Sequence, residues 1–288
     1  MSEQVLVTRF APSPTGRMHL GNAYAALFAW HAALRAGGRF LVRIEDIDQG
    51  RCRPEFEAAL LDDLAWLGLS WERPILRQSD NMPVYAAALT RLQALGMVYP
   101  CFCTRKEIAA EVARSRSAPH GPDGPLYPGT CRALSPDERA RRTAAGEAFA
   151  LRLDAAAAAA RMPARLHFDD HDAGRIAIDP LLHGDVVLAR KDVPTSYHLA
   201  VTVDDAAQGV TLVTRGSDLL PSTHVQRLLQ TLLDLPVPEY HHHRLLHDDD
   251  GIRMAKHRGT IALADLRQQG ISAETICRDL GFPALGRQ

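Results

Sequence analysis

"RFAPSPTGRMHLGN", residues 9–22, packs two prolines, two glycines, two arginines and a histidine between two apolar stretches. Before it runs "VLVTRF" (5–10), and after it the alanine- and aromatic-rich "AYAALFAWHAALRAG" (23–37). The first reads as a short strand and the second as a helix ending near Ala36; the alternating "RFLVRIED" (39–46) then reads as a strand. Residues 5–46 therefore predict a βαβ unit, whose helix N-terminus points into the crevice above the sheet. A glycine-containing turn that enters a helix is a natural seat for an anion.

Working outward, 288 residues suffice for two or three compact units, each with its own core. The 46% hydrophobic and 23% charged content is that of an ordinary globular chain. A formal charge of −1 argues against a nonspecific nucleic-acid coat, although it leaves room for a local basic face. The N-terminus lacks a basic-then-apolar signal pattern, and no apolar run is long enough to span a bilayer. A cytoplasmic protein without membrane contact is expected. Five cysteines, an odd number, fit a reduced compartment, where clustered thiols more often mean metal than disulfide.

"EFEAALLDDLAWLGL" (55–69) and "MPVYAAALTRLQALG" (82–96) are amphipathic helices that each end near a glycine. From Pro100 the texture changes. "PCFCTRKEIAAEVARSRSAPHGPDGPLYPGTCRAL" (100–134) is rich in Pro and Gly and holds three of the cysteines, as an insertion stapled by something other than a core would. "LDAAAAAAR" (153–161) reads as helix or solvated linker. Residues 184–220, "GDVVLARKDVPTSYHLAVTVDDAAQGVTLVTRGSDLL", read as strands broken by turns, and "STHVQRLLQTLL" (222–233) as a further helix. Two short helical stretches close the chain. There is no internal repeat.

The opening loop ends in "HLGN", His19 to Asn22, at the expected helix start. Gly21 would let a nucleotide approach the backbone closely, and His19 can donate to phosphate oxygens or simply cap the helix. A second basic loop, "RMAKHRG" (253–259), follows "DDDG". Each alone is unremarkable, since short basic stretches are usually solvated surface. Together, in this order and on a βαβ framework, they resemble the HIGH and KMSKS motifs of class I aminoacyl-tRNA synthetases. The segments 9–23, "RIEDID" (43–48), "PTSYHLAVTVDD" (194–205), "TRGSDLL" (214–220) and "DDDGIRMAKHRG" (248–259) are similar to the glutamyl-tRNA synthetase catalytic core. The chain departs from the motifs in two places. Asn22 stands for the last histidine of HIGH, and "RMAKH" keeps only Lys256 of the two KMSKS lysines, with Arg253 in place of the first.

The resemblance implies an α/β fold: a Rossmann-like class I catalytic domain with a small zinc-binding insertion and a short helical C-terminal segment. It divides the chain into a nucleotide-binding half (1–99), a zinc-binding insertion (100–135), the rest of the insertion with the second Rossmann half (136–240), and the KMSKS-like loop with a short helical segment (241–288). It implies that ATP, with Mg²⁺, meets His19, Gly21, Asn22 and Lys256, of which His19 and Lys256 are catalytic. Substrate glutamate would be bound by Arg9, Ser13, Glu45, Tyr197 and Arg215, with the arginines on carboxylate and Glu45 on the ammonium. Pairing of Glu45 with Arg43 or Arg9 is the structural alternative.

Cys101, Cys103 and Cys131 supply three thiolates, which with one further ligand suit a closed tetrahedral Zn²⁺ site. C-x-C followed by Y-x-x-x-C is similar to the zinc module of glutamyl-type synthetases, which implies Tyr127 as fourth ligand; His120 competes on chemistry alone. Cys52 and Cys277 have no partners at metal spacing. The "HHH" at 241–243 is a poor chelator, because consecutive side chains on a strand point to opposite faces.

About thirty residues follow Gly259, so no anticodon-binding domain is expected. That resembles the truncated paralogues of glutamyl-tRNA synthetase, which attach glutamate to queuosine in the anticodon of tRNA(Asp). The implied partners are ATP, L-glutamate and queuosine-containing tRNA(Asp), for an enzyme working as a monomer. Three other readings stay open: a minimal enzyme charging a tRNA 3′ end, an inactive synthetase-like RNA-binding module, and an adenylating enzyme for a small molecule or protein.

Overall fold

A computed structural model describes residues 5–114, 120–247 and 261–283. β1 (Val7–Phe10) leads through the proline-rich loop into α1 (Leu20–Arg35), and β2 (Arg39–Ile44) returns beside β1 in parallel, with Val7 opposite Arg39. This is the expected βαβ unit. The buried side of α1 is largely alanine (Ala23, Ala26, Ala29, Ala33), which brings the helix close enough to the sheet for the Thr8 hydroxyl to donate to the Ala29 carbonyl at 2.9 Å. α2 (Pro54–Trp66) and α3 (Met82–Ala94) follow, with β3 (Leu76–Arg77) between them extending the parallel sheet from β2. Both helices stop at glycines in the left-handed region, Gly68 at φ 84° and Gly96 at φ 71°.

β4 (Val98–Cys101) opens a separate region that continues through α4 (Arg105–Arg114), the two-residue strands β5 (His120–Gly121) and β6 (Gly124–Pro125), and α5 (Pro136–Ala144). β7 (Ala150–Leu153) pairs antiparallel with β4, and the alanine run forms α6 (Ala155–Arg161), capped by the Asp154 side chain. Around the cysteines the buried cluster is small: Tyr99, Cys101, Phe102 and Cys131.

The chain then forms the hairpin β8 (His167–Asp170) and β9 (Gly174–Ala177), and β10 (Val187–Ala189) pairs with β7. α7 (Tyr197–Ala207), β11 (Leu212–Gly216), α8 (Ser222–Leu232) and β12 (Glu239–His243) complete the second half, with β11 and β12 parallel. α9 (Leu263–Gln268) and α10 (Ala273–Asp279) pack their leucines and Ile276 into the core around α1 and α2. α7 corrects the reading of residues 184–220 as strands and turns alone. Its Val201, Thr202 and Val203 are β-branched, but that preference is worth only tenths of a kcal/mol per residue. Burial of every residue from Leu199 to Asp205 outweighs it.

Two ladders, β3-β2-β1 and β11-β12-β8-β9, meet where β1 lies beside β11. The Thr211 N–H donates to the Val7 carbonyl at 3.0 Å, and the Val7 N–H to the Thr211 hydroxyl at 2.8 Å. α1 carries the chain from β1 to β2, and α8 carries it from β11 to β12, away on the other side. The junction is thus a topological switch point, where open α/β sheets bind ligands beyond the strand ends. Among the described residues no helix is long and apolar enough to cross a membrane.

Candidate active site and metal centre

The loop between β1 and α1 is tied down from its backbone. The Pro12 carbonyl accepts the Glu45 N–H at 2.9 Å, and the Pro14 carbonyl accepts the Arg53 N–H at 3.1 Å. Ser13 between them is exposed, and its carbonyl accepts the Thr15 N–H at 2.8 Å. His19 is the N-cap of α1: its Nδ1 accepts the Asn22 N–H and the Asn22 side chain accepts the His19 N–H, each at 3.3 Å. The pair closes a reciprocal capping box, with Gly21 as the second residue of the helix. "HLGN" thus builds the first turn of α1, at the crevice. The described chain resumes at Ile261, and Ala262 bridges His19 while Leu263 N–H donates to the Met18 carbonyl at 2.8 Å. Lys256 and Arg253 lie outside the described residues.

On one wall a buried ion network joins strands β1 and β2 to the end of α7. Arg9 donates through Nε to Asp205 Oδ1 at 2.9 Å and through a terminal nitrogen to the Thr214 carbonyl at 3.0 Å. Arg43, fully buried, donates to the same Asp205 oxygen at 2.7 Å, to Gln208 at 3.0 Å and to Glu45 Oε1 at 3.1 Å. Asp204 approaches Arg43 at 3.9 Å and accepts from Gln78, Asn81 and Tyr85, each at 2.8 Å. Burial raises the Glu45 carboxyl above the ordinary value, although Arg43 and Arg9 pull it down. At Asp205 burial is outweighed by the two guanidiniums, which hold the carboxyl below its ordinary value. Arg43 stays charged for the reciprocal reason, since Asp205, Glu45 and Asp204 overcome the cost of its burial. Glu45 thus pairs with Arg43, as the structural alternative holds, and lies buried just past the end of β2.

The opposite wall is built around Arg215 near the end of β11. Its Nε donates to His242 Nε2 at 3.1 Å, one terminal nitrogen to the Thr223 hydroxyl at 2.6 Å, and the other to the Tyr197 hydroxyl at 3.4 Å. His242 Nδ1 lies 2.7 Å from Asp170 Oδ2. Arg9 binds the carbonyl of Thr214, the residue before Arg215, and so links the two walls across the switch point. The structure therefore joins Arg9 and Glu45 through Arg43 and Asp205, sets Tyr197 on Arg215, and starts the His19–Asn22 turn just beyond the end of β1. Sequence reasoning named Arg43 only as a structural partner for Glu45 and His242 only within a poor chelating triplet, and passed over Asp170, Asp204 and Asp205. The doublet at the end of "VTVDD" was a visible signal, because paired acids on a largely apolar helix need buried cations.

The cysteine cluster is a distinct site. The sulfurs of Cys101, Cys103 and Cys131 all lie within 4.8 Å of one another. The Tyr127 hydroxyl sits 3.4 Å from the Cys101 sulfur, 3.5 Å from that of Cys103, and accepts the Cys131 N–H at 2.9 Å. The Phe102 N–H donates to the Cys131 sulfur at 3.3 Å. The Arg152 guanidinium lies 3.9 Å from the centroid of the Tyr127 ring. Burial pushes the Cys103 thiol up to about 11, with the Cys131 sulfur adding to it. At Cys131 burial is outweighed by the Phe102 N–H and the Tyr127 hydroxyl, which hold the thiol below its ordinary value. Three convergent sulfurs with one oxygen fit a soft tetrahedral cation. His120 is outside the convergent set. Of the triplet at 241–243, His242 faces away from His241 and His243, both of which pack on Phe28, as alternation along a strand requires.

Residues 5–283 match the family model described as tRNA synthetases class I (E and Q), catalytic domain. The chain is 50% identical over 284 residues to the glutamyl-Q tRNA(Asp) synthetase of Rhodobacter capsulatus, covering 96% of this chain and 100% of that one. A second protein of that name, from Symbiobacterium thermophilum, is 46% identical, with coverage of 96% and 86%. Glutamate–tRNA ligase 2 of Nitrosococcus oceani is 40% identical over 97% of this chain but 59% of its own length. Among solved structures, the glutamate-tRNA synthetase of Elizabethkingia anophelis superposes with a TM-score of 0.73 at 25% identity over 92% of this chain. The chain spans about half the length of that structure, 54%. A crevice at the switch of a parallel sheet and a match over nearly all of the sequence place this chain in the catalytic-domain family of the class I tRNA synthetases for glutamate and glutamine.

Proposed function

We propose that this chain activates glutamate with ATP and transfers it to queuosine in the anticodon of tRNA(Asp). The observation that supports the activation step is the switch point itself, where Arg9 reaches the carbonyl next to Arg215, Glu45 is held by Arg43 just past β2, and the capped start of α1 follows β1. Two guanidiniums and one acid complement the charges of glutamate, and a neutral amide in place of the side-chain carboxylate would leave an arginine poorly paired. Glu45 holds Arg43 through Oε1 and would meet the substrate ammonium through Oε2. Tyr197, already on Arg215, would bound the pocket, with Ser13 and the loop backbone above it. The substrate α-carboxylate oxygen attacks the ATP α-phosphorus, the α–β phosphoanhydride bond breaks, and pyrophosphate leaves with the electron pair. Negative charge builds on phosphoryl oxygens, so catalysis is positioning plus electrostatics with no covalent nucleophile on the protein. His19, the N-terminus of α1 with the Gly21 N–H, and Lys256 would supply the positive field. Mg²⁺ carried on the ATP phosphates supplies further positive charge there.

Zinc is the metal the cysteine set fits, held by Cys101, Cys103, Tyr127 and Cys131 in a structural role. For the acceptor, support comes from similarity to the full length of a relative named for glutamyl-Q tRNA(Asp). The 40% identity to a glutamate–tRNA ligase favours the second reading, charging of a tRNA 3′ end. Five free cysteines suit action in the cytoplasm. The activation step is tested by ATP–pyrophosphate exchange with no RNA added. Glutamate should support exchange and glutamine should not; exchange with neither would leave an inactive module.

A further inference from the structure

The middle histidine of "HHH" differs from its neighbours. His241 reaches Asp172 at 3.1 Å, and His243 packs on Tyr24 and Phe28 with its Nδ1 on the Arg244 carbonyl. His242 instead turns toward Arg215. An arginine Nε can only donate, so His242 Nε2, 3.1 Å away, must accept and cannot carry a proton. The ring proton then sits on Nδ1 and donates to Asp170 Oδ2 at 2.7 Å. Asp170 is itself fixed by the backbone N–H groups of Asp172, Ala173 and His242 at 3.1, 2.9 and 3.1 Å. Burial, with Arg215 alongside and His243 adjacent, holds the imidazole pKa down to about 4 in spite of Asp170, in keeping with a neutral ring.

The effect falls on the free donors of Arg215. Of the five N–H groups of a guanidinium, the Nε–H goes to His242 and one on each terminal nitrogen goes to Thr223 and Tyr197. Among the described residues this leaves one N–H on each terminal nitrogen. Thr223 and His242, 3.2 Å apart, occupy the side edge of the guanidinium together. The two remaining N–H groups belong to the terminal nitrogens, which form the end of the fork, the edge that grips a carboxylate with two parallel hydrogen bonds.

We infer that His242 is a positioning residue: anchored by Asp170, it accepts the Arg215 Nε–H and thereby aims the guanidinium fork at a substrate carboxylate. The inference rests on the reading of Arg215 as a carboxylate-binding residue. Without the acceptor, the guanidinium can rotate and a buried donor is left unpaired, so the loss falls on glutamate binding rather than on ATP.

Two substitutions separate positioning from space-filling. In His242→Asn the amide can still donate to Asp170 but does not reach Arg215, whereas the longer amide of His242→Gln carries an oxygen toward the position of Nε2. In ATP–pyrophosphate exchange, His242→Asn should raise the KM for glutamate roughly tenfold to a hundredfold, the range for losing a hydrogen bond to a charged group. The KM for ATP should stay within about twofold, and His242→Gln should recover most of the loss. A glutamate KM unchanged in His242→Asn, or equal rises for glutamate and ATP that His242→Gln does not reverse, would overturn the inference. Arg215→Ala is the control: if it leaves the glutamate KM unchanged, the reading of the pocket fails, whereas an effect there without one in His242→Asn sinks the positioning role alone. Nitrogen-15 NMR of the unmodified protein gives a second readout independent of any variant's folding. The Nδ1–H tautomer with an unprotonated Nε2 is expected between pH 6 and 8; an Nε2–H tautomer or an imidazolium there would contradict it.

Discussion

Replacing Lys256 by alanine is expected to slow glutamate-dependent ATP–pyrophosphate exchange by about a hundredfold to a thousandfold, the usual effect of deleting one preorganised donor. The KM for glutamate should change by less than about twofold, because an interaction made only in the transition state lowers kcat and leaves ground-state binding alone. The pocket proposed for glutamate draws on β1, β2, α7 and β11, none of which contains Lys256. In the proposed chemistry its ammonium meets charge that develops on the phosphates, not the groups by which the pocket holds the amino acid. Lys256→Arg should restore only part of the rate, since a flat guanidinium cannot reproduce a compact point charge. Exchange within threefold of the unmodified enzyme would remove Lys256 from the mechanism.

The second large effect should follow removal of the metal. The purified protein should contain about one zinc per chain, and a strong chelator applied with a thiol-modifying reagent should extract it. Loss should accelerate proteolysis within residues 100–135 by more than about tenfold before the rest of the chain is touched. The reason is local. Among the described residues the buried cluster around the site is Tyr99, Cys101, Phe102 and Cys131, too little apolar surface to offset the ordering of a Pro- and Gly-rich segment. The parallel sheet keeps its own core of α1, β2 and α2 residues and should stay folded. Cys131→Ser should mimic extraction, because a hydroxyl is a poor substitute for a thiolate toward zinc. A metal-free protein with an unchanged cleavage pattern would rule out the zinc assignment.

What could be read from the sequence was what its short-range order encodes. The strand–helix–strand opening shows in the alternation of residues 39–44 and in the turn residues before Leu20. The cysteine cluster shows in its spacing, because C-x-C and a third cysteine in the same Pro- and Gly-rich segment bring three thiols into reach, while Tyr127 as the fourth donor came from family resemblance. α7 did not show, since Val201, Thr202 and Val203 favour strand locally and only tertiary burial selects helix. The ion network was invisible for a different reason. Asp205 meets Arg43 across 162 residues and Arg9 across 196, and no local pattern encodes a partner at that distance. His242 was concealed by its neighbours, because three identical residues conceal that each faces a different environment. Arg9, Glu45 and Arg215 stood out through family resemblance; the acids and the histidine that hold two of them in place emerge only from the fold.

The central claim is the identity of the acceptor, and locating the label is the measurement that tests it most directly. Labelled glutamate and ATP are supplied with the enzyme and either intact tRNA(Asp) or its anticodon stem-loop, each with and without queuosine, and the labelled nucleotide is then identified. The account predicts label on queuosine, including in a stem-loop that has no 3′ CCA end, and none on RNA lacking that base. Label on the terminal adenosine of intact tRNA, with the stem-loop left empty, would contradict it.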